Sequence, residues 1–394
     1  MRILLIHNFY QLHGGEDEVL RREKELLTAS GHWVAECLRH NDEIRRYGWW
    51  KKITLPARTV WAWDSYAAIR ALLRRDKPDV AHFHNTFPLI SPAAYYACRD
   101  AGVPVVQSLH NPRLLCPNAC FVADHRLCED CLGKMLPWPA VIHACYHGSR
   151  AQTCVVASML VFHRLLKSWQ RLVDSYIVFT EFYRQKFIEG GLPAEKLMIK
   201  PHFVEDCGMR QTAGNYALFI GRLAPEKGIS TLLKAWERLN NIPLKIRGEG
   251  PMTGKVREFV ERSSSPIQLL PQLSRDKLVA LMQGARFLVW PSEGHYETFG
   301  LVAAEAFTCG VPVIASAVGA MKEMVAQGRT GLHFTPGDPE DLAAKAEWAW
   351  THPKEMEAMG REARAEYEAK YTAERNYQML MEIYHHTIET YQRA

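Results

Sequence analysis

Two carboxylates stand eight positions apart in one largely apolar stretch of the chain, residues 293–312. Glu297 precedes the run LVAAEAF, and Glu305 lies within it. Because burying an unpaired carboxylate costs several kcal/mol, two acids at this spacing in an apolar helix indicate binding rather than packing. We predict this helix over residues 298–309, with Gly310 as its C-terminal stop.

The predicted helix would present both acids and its own N-terminus to one extended ligand. Eight residues rise by about 12 Å along a helix and return to neighbouring faces. The N–H groups of Phe299, Gly300 and Leu301 would favour a phosphate. Hydroxyl groups at both ends and negative charge between them describe a nucleotide-diphosphate sugar. A solvated surface position is the alternative for Glu305.

The composition predicts a globular protein of two domains. The chain has 394 residues, of which 47% are hydrophobic and 23% charged. It has no run of about 18 uncharged apolar residues, and its N-terminus does not resemble a signal peptide. We therefore expect a cytoplasmic protein, with peripheral contact at the inner membrane surface left open. A net charge of +5 without a long basic stripe argues against nucleic acid as a partner.

Strand and helix patterns alternate in two series, which predicts parallel sheets covered by helices. The fold class is α/β, with two Rossmann-like doubly wound domains facing across a cleft. The strand candidates are residues 2–9, 33–40, 79–85, 103–110, 216–223, 243–251, 267–273, 287–292 and 311–316.

The two domains are predicted over residues 1–199 and 200–371. The first carries a cysteine-rich insert at 112–148, and the polar stretch 200–215 is the expected hinge. The final helix, 372–394, is amphipathic and is expected to dock back on the first domain.

Several polar residues and glycines fall at or near the carboxyl ends of the first-domain strands. Gly14 and Gly15 follow the first strand. His84 lies near the end of the third strand candidate, and His110 lies at the end of the fourth. Ligands of doubly wound sheets bind beyond these strand ends. A tight turn before a helix is the alternative for the glycine pair, and a packed strand-end histidine is the alternative for His110. We expect at least one of His82 and His84 to line the cleft.

The stretch PSEGHYETFGLVAAEAFTCGVPVIASAVGAMKEMV (291–325), together with FIGRLAPEKGISTLLKAW (219–236), closely resembles the retaining glycosyltransferases of family 4. The Glu-x7-Glu arrangement and the Gly-Arg-Leu-x3-Lys-Gly turn carry the resemblance, which extends over essentially the whole chain. It implies the two-domain B fold and transfer of a sugar from a UDP- or GDP-sugar to a glycan or lipid-linked acceptor. Bacterial cell-surface polysaccharide synthesis is the expected setting.

The resemblance also implies roles for individual residues, with no cofactor needed for catalysis. Glu297 would contact the hydroxyls of the transferred sugar, and Arg222 and Lys227 would clamp the diphosphate. His110 would contact the sugar and stabilise developing positive charge. The remaining donor contacts would come from Gly14, Gly15, Glu249, Phe299, Gly300, Leu301 and Glu305. Many relatives have glycine after the first acid, where this chain has Thr298.

Other interpretations of these residues remain open. Arg222 and Lys227 are ordinary surface charges on the simplest interpretation. A nucleotide-sugar epimerase of the same fold would need no acceptor, and a non-catalytic scaffold would bind the nucleotide sugar without turning it over.

Half of the ten cysteines fall within residues 116–145. Cys128 and Cys131 form a Cys-x2-Cys pair, with Cys116 before it and Cys145 after it. Four thiolates at such spacing suit a structural zinc ion. Unmodified thiols, disulfides or an iron–sulfur cluster are the alternatives, and the further candidate ligands are Cys120, His125 and His143.

Two first-domain stretches mix aromatic and cationic residues, 47–63 and 160–172. Exposed Trp beside Lys and Arg suits the surface of a bilayer, as a lipid-linked acceptor would require. Packed Trp residues with solvated cations are the alternative.

Overall fold

A computed structural model describes residues 1–11, 14–123, 126–294 and 297–393 of the chain. The chain forms two compact units, Met1–Lys200 with Tyr377–Ala394, and Pro201–Asn376. These bounds lie one and five residues from the domain ends that the sequence predicts at 199 and 371.

The strands are short and are formed by β-branched and other apolar residues in buried runs, as expected for parallel sheets covered on both faces. All nine predicted strands are present, although most are shorter than predicted because their polar ends belong to loops. The strands are β1 (Arg2–Phe9), β2 (Trp33–His40), β3 (Val80–Phe83), β4 (Val105–Ser108), β5 (Val122–Ala123), β6 (Arg126–Leu127), β7 (Ser175–Val178), β8 (Leu197–Ile199), β9 (Ala217–Ile220), β10 (Leu244–Arg247), β11 (Ile267–Leu270), β12 (Phe287–Trp290), β13 (Val313–Ser316) and β14 (Gly331–Phe334).

Helices connect the strands and cover the sheets. They are α1 (Gly15–Ala29), α2 (Trp49–Val60), α3 (Trp63–Asp76), α4 (Ala93–Ala101), α5 (Trp138–Ile142), α6 (Arg150–Leu165), α7 (Ser168–Leu172), α8 (Glu181–Glu189), α9 (Ile229–Trp236), α10 (Thr253–Arg262), α11 (Arg275–Gln283), α12 (Leu301–Thr308), α13 (Gly319–Met324), α14 (Pro339–Thr351), α15 (Pro353–Lys370) and α16 (Ala373–Arg393). Within the described residues, no helix is both long and apolar enough to cross a membrane.

Each unit contains a parallel six-stranded sheet. The order is β2-β1-β3-β4-β7-β8 in the first unit and β11-β10-β9-β12-β13-β14 in the second. The order in which successive strands are added reverses between β9 and β12 in the second unit, and between β1 and β3 in the first. Doubly wound sheets bind ligands at this switch point, beyond the carboxyl ends of the strands. The predicted α/β fold of two doubly wound domains is confirmed.

The last helix packs within the first unit, behind its sheet. The Tyr384 hydroxyl lies 2.7 Å from His82 Nδ1, and Thr387 donates a hydrogen bond of 2.7 Å to Ser175. Glu23 and Lys200 form a buried ion pair of 3.5 Å in the same region. The C-terminal residues therefore contribute to the core of the N-terminal domain.

Candidate active site

The switch point of the second unit brings together two of the predicted site segments. Strand β9 leads into Gly221 and Arg222, and its sheet neighbour β12 leads into the segment that carries Glu297. Arg222 and Glu297 are 75 positions apart in the sequence, yet both lie beyond the same edge of the sheet.

Two glycines hold these segments in close contact. Gly228 ends the turn after β9 with a left-handed φ of 69°, and a Cβ there would lie 1.8 Å from the Pro291 carbonyl oxygen. Gly300 has φ 122°, and its Cβ would lie 2.0 Å from the Trp290 ring. Neither position tolerates a side chain in this arrangement. The backbone therefore fixes the turn after β9 against the segment after β12.

Glu297 accepts several hydrogen bonds, although it lies in a loop. Its Oε1 atom accepts from Lys227 Nζ in an ion pair, from Ser292 Oγ at 3.0 Å and from Trp290 Nε1 at 3.4 Å. Its side chain is only 15% exposed. This carboxylate is thus oriented by groups from both strand ends.

Arg222 is about half exposed and pairs with Glu226 in the same turn. The two cations of the Gly-Arg-Leu-x3-Lys-Gly turn are therefore each engaged by a carboxylate. The simplest interpretation, ordinary surface charges, fits Arg222 better than Lys227, whose side chain is mostly buried.

The helix of the opening motif begins later than predicted. Helix α12 starts at Leu301 with Gly300 as its N-cap, so the predicted start at 298 is wrong. The reason is the φ of 122° at Gly300, which helical backbone cannot adopt. Glu297 stands in the preceding loop, and the predicted rise of about 12 Å between the two acids does not apply.

The N-terminus of α12 keeps its expected character. The first intrahelical hydrogen bonds run from Ala303 and Ala304 to the Gly300 carbonyl, so the N–H groups before them lie outside that ladder. The Phe299 side chain is buried against His202 and Tyr371, with ring centroids 5.2 and 5.5 Å away. Its contribution toward a ligand is thus restricted to its backbone.

The two other acids of the prediction differ in burial. Glu305 is half-buried on α12, which disfavours the fully solvated alternative. Glu249 is exposed in the turn after β10, and its carbonyl accepts a hydrogen bond of 2.9 Å from Leu223 N. That bond places the Glu249 turn beside the turn that carries Arg222.

Gly14, Gly15 and His110 belong to the first unit. Gly14 is the N-cap of α1, has ordinary extended backbone, and leaves open space where a Cβ would stand. His110 shares a hydrogen bond of 3.0 Å between its Nε2 and His84 Nδ1, and the two rings stack. The pKa of His110 lies well below its usual value because of burial and, next, the nearby His7.

A buried chain of side chains lies behind His110. His82 bonds Tyr384 and Ser108, and its ring centroid lies 4.4 Å from that of His84. Burial lowers the pKa of His82 to about 4 and holds the pKa of His84 well below its usual value. Both of these imidazoles are therefore neutral at physiological pH. His82 thus lies in the core, whereas His84 lines a cavity of about 50 Å3 together with His110.

Four of the five cysteines of the insert line one small cavity of about 10 Å3, and Cys120 is not among them. These four are the predicted zinc ligands, and His143 lines the cavity with them. They are Cys116, Cys128, Cys131 and Cys145. Each of the four is a thiol rather than half of a disulfide. Another candidate from the sequence, His125, lies outside the described residues.

Several residues of these sites carry no sequence signal that we used. Ser292 and Trp290 orient Glu297 through tertiary contacts alone. Glu16 lies beside the glycine pair, where it accepts hydrogen bonds from Asn85 at 3.3 Å and Asn111 at 3.5 Å. An acid directly after a glycine pair at a strand end is a signal that was present and could have identified Glu16.

Two family models match the chain. Residues 14–206 match the Glycosyltransferase Family 4 domain, and residues 210–366 match Glycosyl transferases group 1. The chain belongs to these family 4 glycosyltransferases. The matched ranges cover the second sheet, the first sheet except β1, and all predicted donor-site residues.

Similar proteins agree with this assignment. A glycosyltransferase of Methanocaldococcus jannaschii, itself uncharacterised, is 37% identical over 33% of this chain and 37% of its own length. The D-rhamnosyltransferase WbpZ of Pseudomonas aeruginosa is 29% identical over 47% of this chain and 48% of its own length. The chain therefore spans between a third and a half of these two relatives.

A solved structure shows the same fold. Anabaena HepE in complex with UDP-glucose superposes with a TM-score of 0.68 at 16% identity, covering 100% of both chains. HepE thus shares the fold of both doubly wound domains with the chain.

Glu16 supplies a pH test of the first-unit site. Burial and, next, the Asp17 charge raise the pKa of Glu16 to about 8, so the folded protein holds a proton that the unfolded chain releases above a pKa near 4.5. The free energy of unfolding should therefore fall as pH rises from about 5 to about 8, by up to a few kcal/mol. Urea unfolding of the wild type and Glu16→Gln measures this.

The Glu16→Gln variant should lose this part of the pH dependence and gain stability over the wild type with rising pH. Glu25→Gln, which changes an exposed acid on the same helix, is the matched control. Parallel pH profiles for the wild type and Glu16→Gln would contradict the raised pKa.

Proposed function

We propose that this protein is a retaining glycosyltransferase that moves a sugar from a nucleotide-diphosphate sugar to a glycan or lipid-linked acceptor. The observation that carries the proposal is the Lys227–Glu297 pair at the switch point of the second sheet. A cation and an oriented carboxylate at one strand edge suit a ligand with adjoining phosphate and hydroxyl groups. Membership of the family supports the same activity.

Donor binding would exchange partners within these ion pairs. A diphosphate carries more negative charge than a carboxylate, so Lys227 would turn from Glu297 to the phosphates, and Arg222 from Glu226. Glu297 would keep the hydrogen bonds from Ser292 and Trp290 and accept from the sugar hydroxyls. Each of the two cations would thus remain paired with a carboxylate until the donor diphosphate replaces that carboxylate.

The remaining donor contacts are those that the resemblance in sequence implies. The N–H groups of Phe299, Gly300 and Leu301 would stabilise phosphate or sugar oxygens at the start of α12, and Glu305 would hold the ribose hydroxyls. Glu249 and the glycine pair, Gly14 with Gly15, would complete the contacts to the base and the diphosphate.

Bond cleavage would draw on positive charge supplied by the chain. As the sugar leaves, the diphosphate gains negative charge, which Arg222 and Lys227 stabilise without a proton transfer. We propose that catalysis needs no metal for this reason. The departing phosphate would help to deprotonate the acceptor on the same face, which gives retention. His110, neutral because of its low pKa, would contact the sugar through hydrogen bonding.

The donor class and the reaction can be tested together. HepE was solved with UDP-glucose, so a thermal-shift panel of UDP, GDP and ADP with their sugars is the first measurement, and we expect a UDP- or GDP-sugar to stabilise the protein. Incubation with that donor alone should give slow hydrolysis of the donor and no interconverted sugar, whereas interconversion would favour an epimerase. NMR of a transferred product should show the donor's anomeric configuration.

The setting we propose is bacterial cell-surface polysaccharide synthesis in the cytoplasm. The resemblance in sequence supports this setting.

Lys227→Ala and Glu297→Ala should each lower turnover by on the order of a hundredfold or more, because each removes a charge that stabilises the leaving group or the sugar. Donor hydrolysis without acceptor is the readout, with folding checked by circular dichroism. Lys234→Ala, an exposed lysine on α9, is the matched control.

Wild-type turnover in both variants would refute the site. If the wild-type protein bound the donor but showed no turnover, the result would instead favour the non-catalytic scaffold.

A lipid-linked acceptor would require contact with a bilayer, and α2 offers a surface for it. Trp49, Trp50 and Ile53 are each at least 60% exposed, beside exposed Lys51 and Lys52. No acidic residue occurs in residues 47–63. Aromatic residues among cations favour the interface of an anionic membrane, so we propose peripheral contact through α2.

The paired substitution Lys51→Ala/Lys52→Ala should weaken binding to phosphatidylglycerol vesicles by roughly 30-fold, since each surface cation contributes about 1 kcal/mol. Co-sedimentation with vesicles measures it, and phosphatidylcholine vesicles should bind little. Lys354→Ala, at an exposed lysine of the second unit, is the control. Equal binding to both vesicle types would contradict the proposal.

A further inference from the structure

We propose that Cys116, Cys128, Cys131 and Cys145 bind one structural zinc ion within the insert of the first unit. The proposal does not depend on the proposed function, because it concerns the folding of residues 112–148. It rests on the cavity that these side chains share, on the strained backbone around it and on a cation beside it.

The fold brings the four cysteines together from three separate places. Cys116 lies in a turn before the β5–β6 hairpin, Cys128 and Cys131 follow that hairpin, and Cys145 comes just after α5. All four line the same cavity. They are also close enough for Cys145 to interact electrostatically with each of the other three. Four sulfur ligands from a hairpin knuckle and two flanking segments are the donor set of a structural zinc site.

The insert has little regular structure of its own to hold this arrangement. Its hairpin pairs only two residues on each strand, and α5 has five residues. Structures of this size without a substantial core usually depend on a metal or disulfides. The ten cysteines are all described, and each of these four is a thiol.

Backbone strain is concentrated in the same segment. Of the seven described non-glycine residues with left-handed φ, four lie in the insert, namely Ala119, Phe121, Ala144 and His147. Such a conformation is unfavourable for a residue with a side chain and persists only where the surroundings fix it. Ala144 directly precedes Cys145, and Ala119 and Phe121 lie between Cys116 and Cys128. Metal–sulfur bonds on either side of these residues would supply that constraint.

A cation stands beside the cluster. Four thiolates around Zn2+ leave a net double negative charge, which needs a cationic or hydrogen-bonding surround. Arg164 of α6 lies near enough to interact with Cys131, and it donates to the carbonyls of Lys134, Met135 and Leu114. It thereby ties the segments on both sides of the cluster to α6.

The sulfur atoms surround the cavity rather than meeting at its centre. Among the described residues, the groups of three ligand atoms within 4.8 Å of one another are Glu23–His82–His84 and His7–Glu16–Asp17. Zinc–sulfur bonds of about 2.3 Å would draw the four sulfurs to within roughly 4 Å of each other. Rotation about the cysteine χ1 bonds is the movement that the proposal requires.

The cluster would also position residues near His110. Arg113 donates to the Pro117 carbonyl at 2.8 Å and stacks 4.1 Å from the Phe87 ring, with the Tyr146 ring 5.5 Å away. Pro117 and Tyr146 directly follow Cys116 and Cys145. A zinc ion that fixes those two cysteines would therefore fix two of the partners of Arg113.

Metal analysis of the full chain tests the proposal. Protein purified in reducing buffer without chelator should contain about one zinc per chain, released by a mercurial thiol reagent. Cys128→Ser and Cys131→Ser should lose most of it, whereas Cys154→Ser, at an exposed cysteine of α6, should retain it. Should these variants fail to fold, replacing zinc by Co2+ in the wild type should give the absorption bands of tetrahedral cobalt thiolate.

Three results would overturn the proposal. The first is wild-type protein that contains no zinc and takes up none after incubation with Zn2+. The second is iron in place of zinc, or disulfides among these cysteines detected by mass spectrometry. The third is loss of zinc in His143→Ala but not in Cys145→Ser, which would replace the four-cysteine set.

Discussion

The second unit depends on one close contact between two backbone segments, Gly228 against Pro291. The distance of 1.8 Å that a Cβ would have from the Pro291 carbonyl shows that no other residue fits there without moving a strand end. This contact carries Lys227, the neighbour of Gly228, to the segment after β12. The Lys227–Glu297 pair is therefore a consequence of backbone packing at the switch point rather than of long side chains meeting in solvent.

Ion pairs of this kind keep a polar site stable before it binds anything. A half-buried lysine or glutamate alone would pay a desolvation cost, and the pair offsets that cost for both. Ser292 and Trp290 add hydrogen bonds to the same carboxylate oxygen. In the exchange that we propose, Glu297 would keep these two hydrogen bonds when Lys227 turns to the donor phosphates. The pairing thus favours ligands that bring their own negative charge.

The sequence predicts the parts of this protein that follow local rules. Buried parallel strands are short apolar runs, so β1, β9 and β12 were evident, and the signature motif located Glu297 and Lys227 at adjacent strand ends. The start of α12 was wrong because the motif's apolar pattern continues through Gly300, whose backbone departs from the helix to pass the Trp290 ring. Contacts such as Ser292 to Glu297 exist only in the folded chain, and the insert has no periodicity from which its hairpin could be predicted.

The first unit shows how a distant part of the chain can orient a strand-end residue. Tyr384 of α16 bonds His82, whose ring packs on His84, and His84 bonds His110. All of these imidazoles are neutral because burial lowers the pKa of each, so the links are hydrogen bonds and a ring contact rather than charge pairs. The hydrogen bond to His84 orients the His110 ring at the strand end. The last helix, which follows the second unit in the sequence, therefore completes the polar edge of the first sheet.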